Sequence, residues 1–380
     1  MTTSAARRGG RLGGRVRAAR AVVCPGAYVA TRVRAGVAAM VAVAVIAVAA
    51  LAGCAKDSRT VVTVYTPHGV ELMGDLQARF ERDNPNIDIE WVDLGSQVVL
   101  DRLRAEKDAP KADLWFGAPG VLFEIAAREG LLDVFVPSWA ASVPAEARDS
   151  AGYWIGTYLT PEVIGYNSAA VRPADVPRDW DDLIDRKWRG KLVMRDPMGS
   201  GTMRVIFGAL LQRSLEETGS TERGFDYLRK LDANTREYTS SPALLYQKLG
   251  RKQGVVTLYN MSDMATLEAR TRIPVKAVIP RSGTPLLVDG IAIVRGARHA
   301  EQAKLFFNFV ASREMMLVAA RDHERIPART DLVADSLPQW IREATREIKP
   351  MALDRRLMGD SLDRWMRFWA GKIKGKYRAR

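Results

Sequence analysis

The residues most able to do chemistry lie in short polar loops. Gly199-Ser200-Gly201-Thr202 opens a stretch with helical periodicity. The first N–H groups of a helix lack intrahelical partners and sit at the positive end of its dipole, so the segment suits an anion. Ordinary capping by Ser200 or Thr202 would use the same residues. Arg204, in the first turn, opposes the dipole and calls for a negative partner, either a bound anion or Asp196. His68 follows a β-branched run in the loop Thr66-Pro67-His68-Gly69, and a lone histidine is more often a turn residue than a ligand. Tyr259 reads either as an aromatic wall or as the last residue of a buried strand, with Asn260 and Asp263 beyond it. Asp263 and Asp289 can meet an ammonium or hydroxyl group. Asp263 also reads as a solvated first-turn residue, and Asp289 as a residue that holds backbone. His299 and His323 have no metal-ligand spacing, and no GxSxG, HExxH or P-loop motif is present. His68 with Ser200 is the one conceivable base and nucleophile, so binding rather than catalysis is expected, without cofactor or metal.

These loops need elements to position them. VVTVY (61–65) reads as a strand, and Met73, Leu76 and Phe80 recur at helical spacing over 70–82. Asp83-Asn84-Pro85-Asn86 breaks that helix before the strand IDIEWV (87–92). Helix 97–106, strand DLWF (113–116) and helix 121–129 continue the alternation, the rhythm of βαβ units on a largely parallel sheet. A second unit follows, with strands at 162–167, 191–194, 255–259 and 275–279 and helices at 202–217, 224–232 and 242–250. LLVDGIAIV (286–294) and a helix carrying Phe306, Phe307 and Val310 close the pattern. In such α/β sheets ligands bind beyond the carboxyl ends of the strands. The loops there are 66–69, 95–96, 117–120, 198–202 and 259–263. They are rich in Gly, hydroxyls and amides, which let backbone N–H groups approach a ligand.

Residues 1–53 hold eight Arg and no acid, and an uncharged apolar run begins at Gly36. That is the layout of a secretory signal peptide. Apart from Cys24, Cys54 is the only cysteine, so a chain beginning there has no internal disulfide and no catalytic thiol. The net charge of +13 is carried by the ends. Removing residues 1–53 leaves 49 basic against 44 acidic residues, and the body from 54 to 337 is about −2. The fold itself therefore presents no basic surface for nucleic acid. Leu353, Leu357, Trp365, Phe368 and Trp369 interleave with arginines, so 331–380 reads as a packed helical segment ending in a solvated basic tail from Lys372.

VVTVYTPHG, ADLWFGAPGVLFEIAAREGLL (112–132), IGYN (164–167), DPMGSGTMR (196–204), GTPLLVDGIAIVRGARHAEQAKLFFNFV (283–310) and IPARTD (326–331) resemble the type II solute-binding proteins of ABC importers. The similarity is to the ferric-ion-binding branch and its relatives for phosphorylated sugars, phosphonates or polyamines. Leu51-Ala52-Gly53-Cys54 likewise resembles a lipobox, which implies lipidation at Cys54 and a membrane-attached, extracytoplasmic protein. The resemblance implies an α/β fold of two lobes joined by two hinge crossings. Lobe 1 is 54–156 plus 290–330, lobe 2 is 166–284, and the crossings are 157–165 and 285–289. It also implies a monomer that hands a small molecule to a permease and ATPase. The cleft residues implied are Thr66, His68, Gly117, Ala118, Ser200, Gly201, Thr202, Tyr259, Asn260, Asp263 and Asp289. Iron-binding relatives use a carboxylate in the loop matching 117–120 and two adjacent tyrosines near 259–260. Here those positions hold Gly-Ala-Pro-Gly and Tyr259-Asn260, so an anionic or oxygen-rich organic solute is expected rather than bare Fe(III).

Overall fold

The computed structural model describes residues 59–377. Cys54, the apolar leader and the last three residues lie outside the described residues. β1 (Thr60–Thr66) pairs in parallel with β2 (Ile87–Asp93) and β3 (Leu114–Pro119). Between them run α1 (Gly69–Asp83) and α2 (Ser96–Ala105), and α3 (Gly120–Arg128) follows β3. α1 buries Leu72, Met73, Leu76 and Phe80. These are the residues whose spacing marks one helical face.

Two strands then run antiparallel across the middle of the molecule. β5 (Ile155–Asn167) has 13 residues, against about 5–6 for an ordinary strand. β10 (Thr284–Val294) pairs with β5 from Ile291↔Ile155 to Leu286↔Pro161 and with β3 on its other side. The far half of β5 leaves β10 and pairs instead with β8 (Val256–Asn260) and β9 (Val275–Val278). β8 joins β6 (Leu192–Arg195), which pairs in parallel with β7 (Thr235–Thr239). The main strand order is β2-β1-β3-β10-β5-β8-β6-β7, so β5 and β10 connect the two halves. Short β4 (Leu132–Asp133) and β12 (Pro350–Met351) pair with β10, and β11 (Ile326–Pro327) with β5. Helices α4 (Gly201–Thr218), α5 (Glu222–Asn234), α6 (Pro242–Gly250) and α7 (Met261–Arg270) cover the second half. α8 (Ala300–Val310) and α9 (Arg313–Asp322) return to the first, where α8 packs on β1 and α1.

The C-terminal segment is built as α10 (Gln339–Glu347) and α11 (Arg355–Lys372). α11 packs on α3 and α4 and buries Met358, Leu362, Trp365, Met366 and Trp369. The Trp369 ring lies 5.4 Å from that of Phe207 and 5.1 Å from that of Tyr238. From Lys372 to Tyr377 the segment is exposed at Lys372, Gly375, Lys376 and Tyr377, yet it is tied to the fold. Ile373 is fully buried, Lys374 pairs with Asp196, and the Gly375 and Tyr377 N–H groups donate to Asp232 at 2.9 and 3.0 Å. Asp232 is a buried acid, and these donors satisfy it. Among the described residues no helix is long and apolar enough to cross a membrane.

Candidate ligand-binding cleft

The carboxyl ends of the strands converge on one cavity between the two halves. Its volume is about 60 Å³. From the first half it is lined by Pro67, His68, Asp93, Leu94, Gly95, Ser96, Ala118 and Pro119. Thr160 and Asp289 contribute from the crossing strands. Arg195, Ser200, Thr202, Pro242, Tyr259, Asn260 and Asp263 line it from the second half, and Arg325 from the segment before β11.

Eight expected residues therefore share one wall: His68, Ala118, Ser200, Thr202, Tyr259, Asn260, Asp263 and Asp289. Thr66, Gly117 and Gly201 stand just outside it. The Thr66 hydroxyl accepts the His68 N–H at 3.1 Å and fixes that turn. Gly117 belongs to β3 rather than to a loop. Its φ of +92° and a distance of 2.4 Å from a would-be Cβ to His68 Nε2 leave room for no side chain. Gly201 N–H donates to Ser96 Oγ at 3.2 Å, across the cleft.

Ser200 caps α4, accepting from the Met203 N–H at 3.3 Å. Two donors of the helix entrance are thus already occupied, by Ser200 itself and by Ser96. The expected partners of Arg204 are also corrected. It pairs with Asp363 of α11, while Asp196 takes Lys374, so Arg204 gives no sign of a bound anion. Two arginines line the cavity, and the Nε of each is buried without a hydrogen-bond partner. Arg325 donates to Asp263 through Nη1, whereas Arg195, a buried residue, donates through Nη1 to the Thr239 carbonyl at 2.9 Å. An unsatisfied buried guanidinium edge carries a desolvation penalty that an incoming anion would relieve.

The other end of the cavity is acidic. Thr160 Oγ1 donates to Asp289 Oδ2 at 3.0 Å. Burial is the main cause that pushes the Asp289 carboxyl up to about 6, against the lowering effects of Thr160 and Arg325. Asp263 accepts from the Tyr246 hydroxyl and, at 3.4 Å, from Arg325 Nη1, so it is not the solvated residue expected. Asn260 caps α7 by accepting the Asp263 N–H at 2.8 Å. Burial, with a smaller contribution from Arg325, holds the His68 imidazole well below its usual range. It is therefore neutral at neutral pH and offers a hydrogen bond but no positive charge. Burial likewise pushes the Tyr259 phenol up, with Asp263 second, against Arg195 beside it.

Sequence reasoning placed the 95–96 loop at the site and passed over Asp93, Thr160, Arg195, Pro242 and Arg325. Arg195 had a legible signal, the last residue of a strand feeding the Ser200 loop. Arg325 had none, since its place depends on how the chain returns to the hinge. Among the described residues no group of three or more His, Cys, Asp or Glu could hold a metal ion.

The chain is similar to known proteins over most of its length. A periplasmic-binding protein of Sinorhizobium fredii, assigned to an ABC transporter, is 26% identical over 307 residues, 80% of this chain and 84% of that one. A Salmonella typhimurium periplasmic protein named for 2-aminoethylphosphonate binding is 28% identical over 287 residues, 72% of this chain and 81% of that one. The structure of the Actinobacillus pleuropneumoniae periplasmic binding protein AfuA, solved with fructose-6-phosphate, superposes with a TM-score of 0.74 at 22% identity, over 83% of this chain and 99% of that one. The model of the bacterial extracellular solute-binding protein family matches residues 109–345. The chain belongs to that family and has the type II periplasmic-binding-protein fold of two α/β lobes.

Proposed function

We propose that this protein captures a small organic solute bearing an anionic group and presents it to the permease and ATPase of an ABC importer. The observation that carries the solute class is Arg195, which lines the cavity together with Ser200 and Thr202 and is buried with an unpartnered Nε. A phosphonate, phosphate, sulfonate or carboxylate can take charge-assisted bonds there. The names of the relatives, phosphonate for one and a sugar phosphate bound in another, agree with that class. The lobes would be 54–156 with 290–330 and 166–284, closing on crossings 157–165 and 285–289. Bare Fe(III) fits less well. The cavity wall holds one tyrosine, whose phenol stays protonated, and a hard ion prefers several anionic oxygens. A thermal-shift screen over phosphonates, phosphate esters, sulfonates, amino acids, polyamines and Fe(III) tests the reading. An anion-bearing organic compound should raise the melting temperature, and Fe(III) should give no tyrosinate charge-transfer colour. Tight coloured iron binding, or a response to polyamines alone, would overturn it.

The same reading places the protein outside the cytoplasm, held by a lipid on Cys54. Leu51-Ala52-Gly53-Cys54 at the end of the apolar run motivates this. The Cys54→Ser variant should leave the membrane fraction or stay unprocessed. A variant that remains membrane-bound with the same cut site would sink the lipid anchor.

A further inference from the structure

Glu162 is the most conspicuous unexplained group near the cleft. It lies on β5, is fully buried, and neither carboxyl oxygen has a hydrogen-bond partner. Directly paired residues of an antiparallel ladder direct their side chains to the same face, as do residues i and i+2 of one strand. Glu162 pairs with Asn260, and Thr160 precedes it by two positions. Both Asn260 and Thr160 line the cavity, so Glu162 lies on the same face of the sheet, fully buried behind the residues that line the cleft.

The charges around it leave it without a counterion. Asp289 on β10 and Asp263 on α7 are its ionisable neighbours of influence, and both are acids. Arg325 acts on those two acids. Arg195 is engaged with Thr239 and stands beside Tyr259, and Tyr246 donates to Asp263. None of these groups donates to Glu162. Burial, reinforced by Asp289 and Asp263, raises its carboxyl well above the ordinary range and so favours its protonated form when no ligand is bound. A buried acid among acids, behind the wall of a solute cleft, lacks only a cation.

We propose that Glu162, with Asp289 in the cavity wall, forms a recognition point for a protonated amine, so that the solute is a small zwitterion. The inference rests on the anion-binding reading above and adds the opposite pole to the same cavity. When the ammonium group arrives, the Glu162 carboxyl ionises to balance it and its proton leaves to solvent. Binding is then coupled to proton release, and the preference for amines belongs to Glu162.

The test uses three pairs of compounds that differ only by an amine: 2-aminoethylphosphonate and ethylphosphonate, taurine and ethanesulfonate, β-alanine and propionate. Calorimetry is run in buffers of low and high ionisation heat on the natural protein and the Glu162→Gln variant. The natural protein should bind one of the amines at least about 30-fold more tightly than its deaminated partner, with release of about one proton more than the variant. Glu162→Gln should weaken that amine at least tenfold and leave its partner within about twofold. The variant also has a readout that needs no ligand. A folded-state pKa raised above the ordinary value of 4.5 removes stability as pH rises past that value and until the folded pKa is reached. The melting temperature of Glu162→Gln relative to the natural protein should therefore climb from pH 5 to pH 8. Equal affinity within every pair, or selection of an amine-free anion such as a sugar phosphate, would overturn the amine while leaving the anion reading intact. Binding of no anion at all would overturn both. An amine preference untouched by Glu162→Gln, with a flat stability difference across pH, would remove Glu162 from the assignment.

Discussion

Replacing Arg195 by alanine is expected to reduce affinity for an anion-bearing solute by about 2–5 kcal/mol, roughly thirty- to several-thousand-fold. Arg195 is buried, lines the cavity with Ser200 and Thr202, and keeps an unpartnered Nε. Its removal deletes the charge and leaves the solute anion facing Asp93, whose carboxyl is raised above its usual range by desolvation, against the lowering effect of Arg195. Calorimetry with 2-aminoethylphosphonate or the compound the screen selects reads the effect. Arg195 also donates to the Thr239 carbonyl, so circular dichroism must confirm folding, and Arg195→Lys provides a second variant. Lysine keeps the charge but loses the fork, and should retain only part of the affinity. A loss below about threefold in both variants would move the anion site elsewhere.

The second large effect is expected at Gly95, which does not supply a charge. Its φ of −59° and ψ of 140° are open to any residue, so alanine there strains nothing within its own lobe. In the structure, however, a Cβ at Gly95 would lie 2.3 Å from the Gly199 carbonyl oxygen on the facing side of the cleft. Gly95→Ala therefore bars this close approach while leaving each lobe folded. The protein should keep its melting temperature without ligand, within a few degrees, and lose at least about tenfold in affinity, because the binding-competent state becomes rare. Solution scattering supplies the matching observation. Saturating solute should shrink the radius of gyration of the natural protein and do so less in the variant. An unchanged radius for the natural protein at saturation would count against lobe closure.

Much of the architecture was legible because it depends on local pattern. The spacing of Met73, Leu76 and Phe80 marks α1, and Asn84-Pro85 ends it where the structure places a cap. The β-branched run at 61–65 falls within β1, which extends it by one residue at each end, and the run at 255–259 becomes β8 shifted by one residue, Val256–Asn260. Less legible was the length of β5, since its first half, Ile155–Pro161, shows no distinct alternation. It is a strand because β10 and β11 hydrogen-bond to it. Strand propensity is set by neighbours more than by the chain itself. Gly117 and Ala118 read as loop for the same reason, and pairing of Pro119 with Asp289 draws them into β3.

The sequence by itself determined which polar loops end the strands, and hence that His68, Ser200, Tyr259, Asn260 and Asp263 would meet near one place. That follows from chain order and from the rule that such sheets expose their ligands at the carboxyl ends. Only the tertiary structure decided the charges of the place. Arg325 and Asp263 are 62 positions apart and Glu162 and Asp289 are 127 apart, so no spacing connects them. Burial then shifted their titration: it lowers the His68 imidazole and raises the Glu162 carboxyl, and folding leaves the Arg195 Nε without a hydrogen-bond partner. Desolvation and the sign of the nearest neighbour exist only after folding has removed water and brought distant groups together.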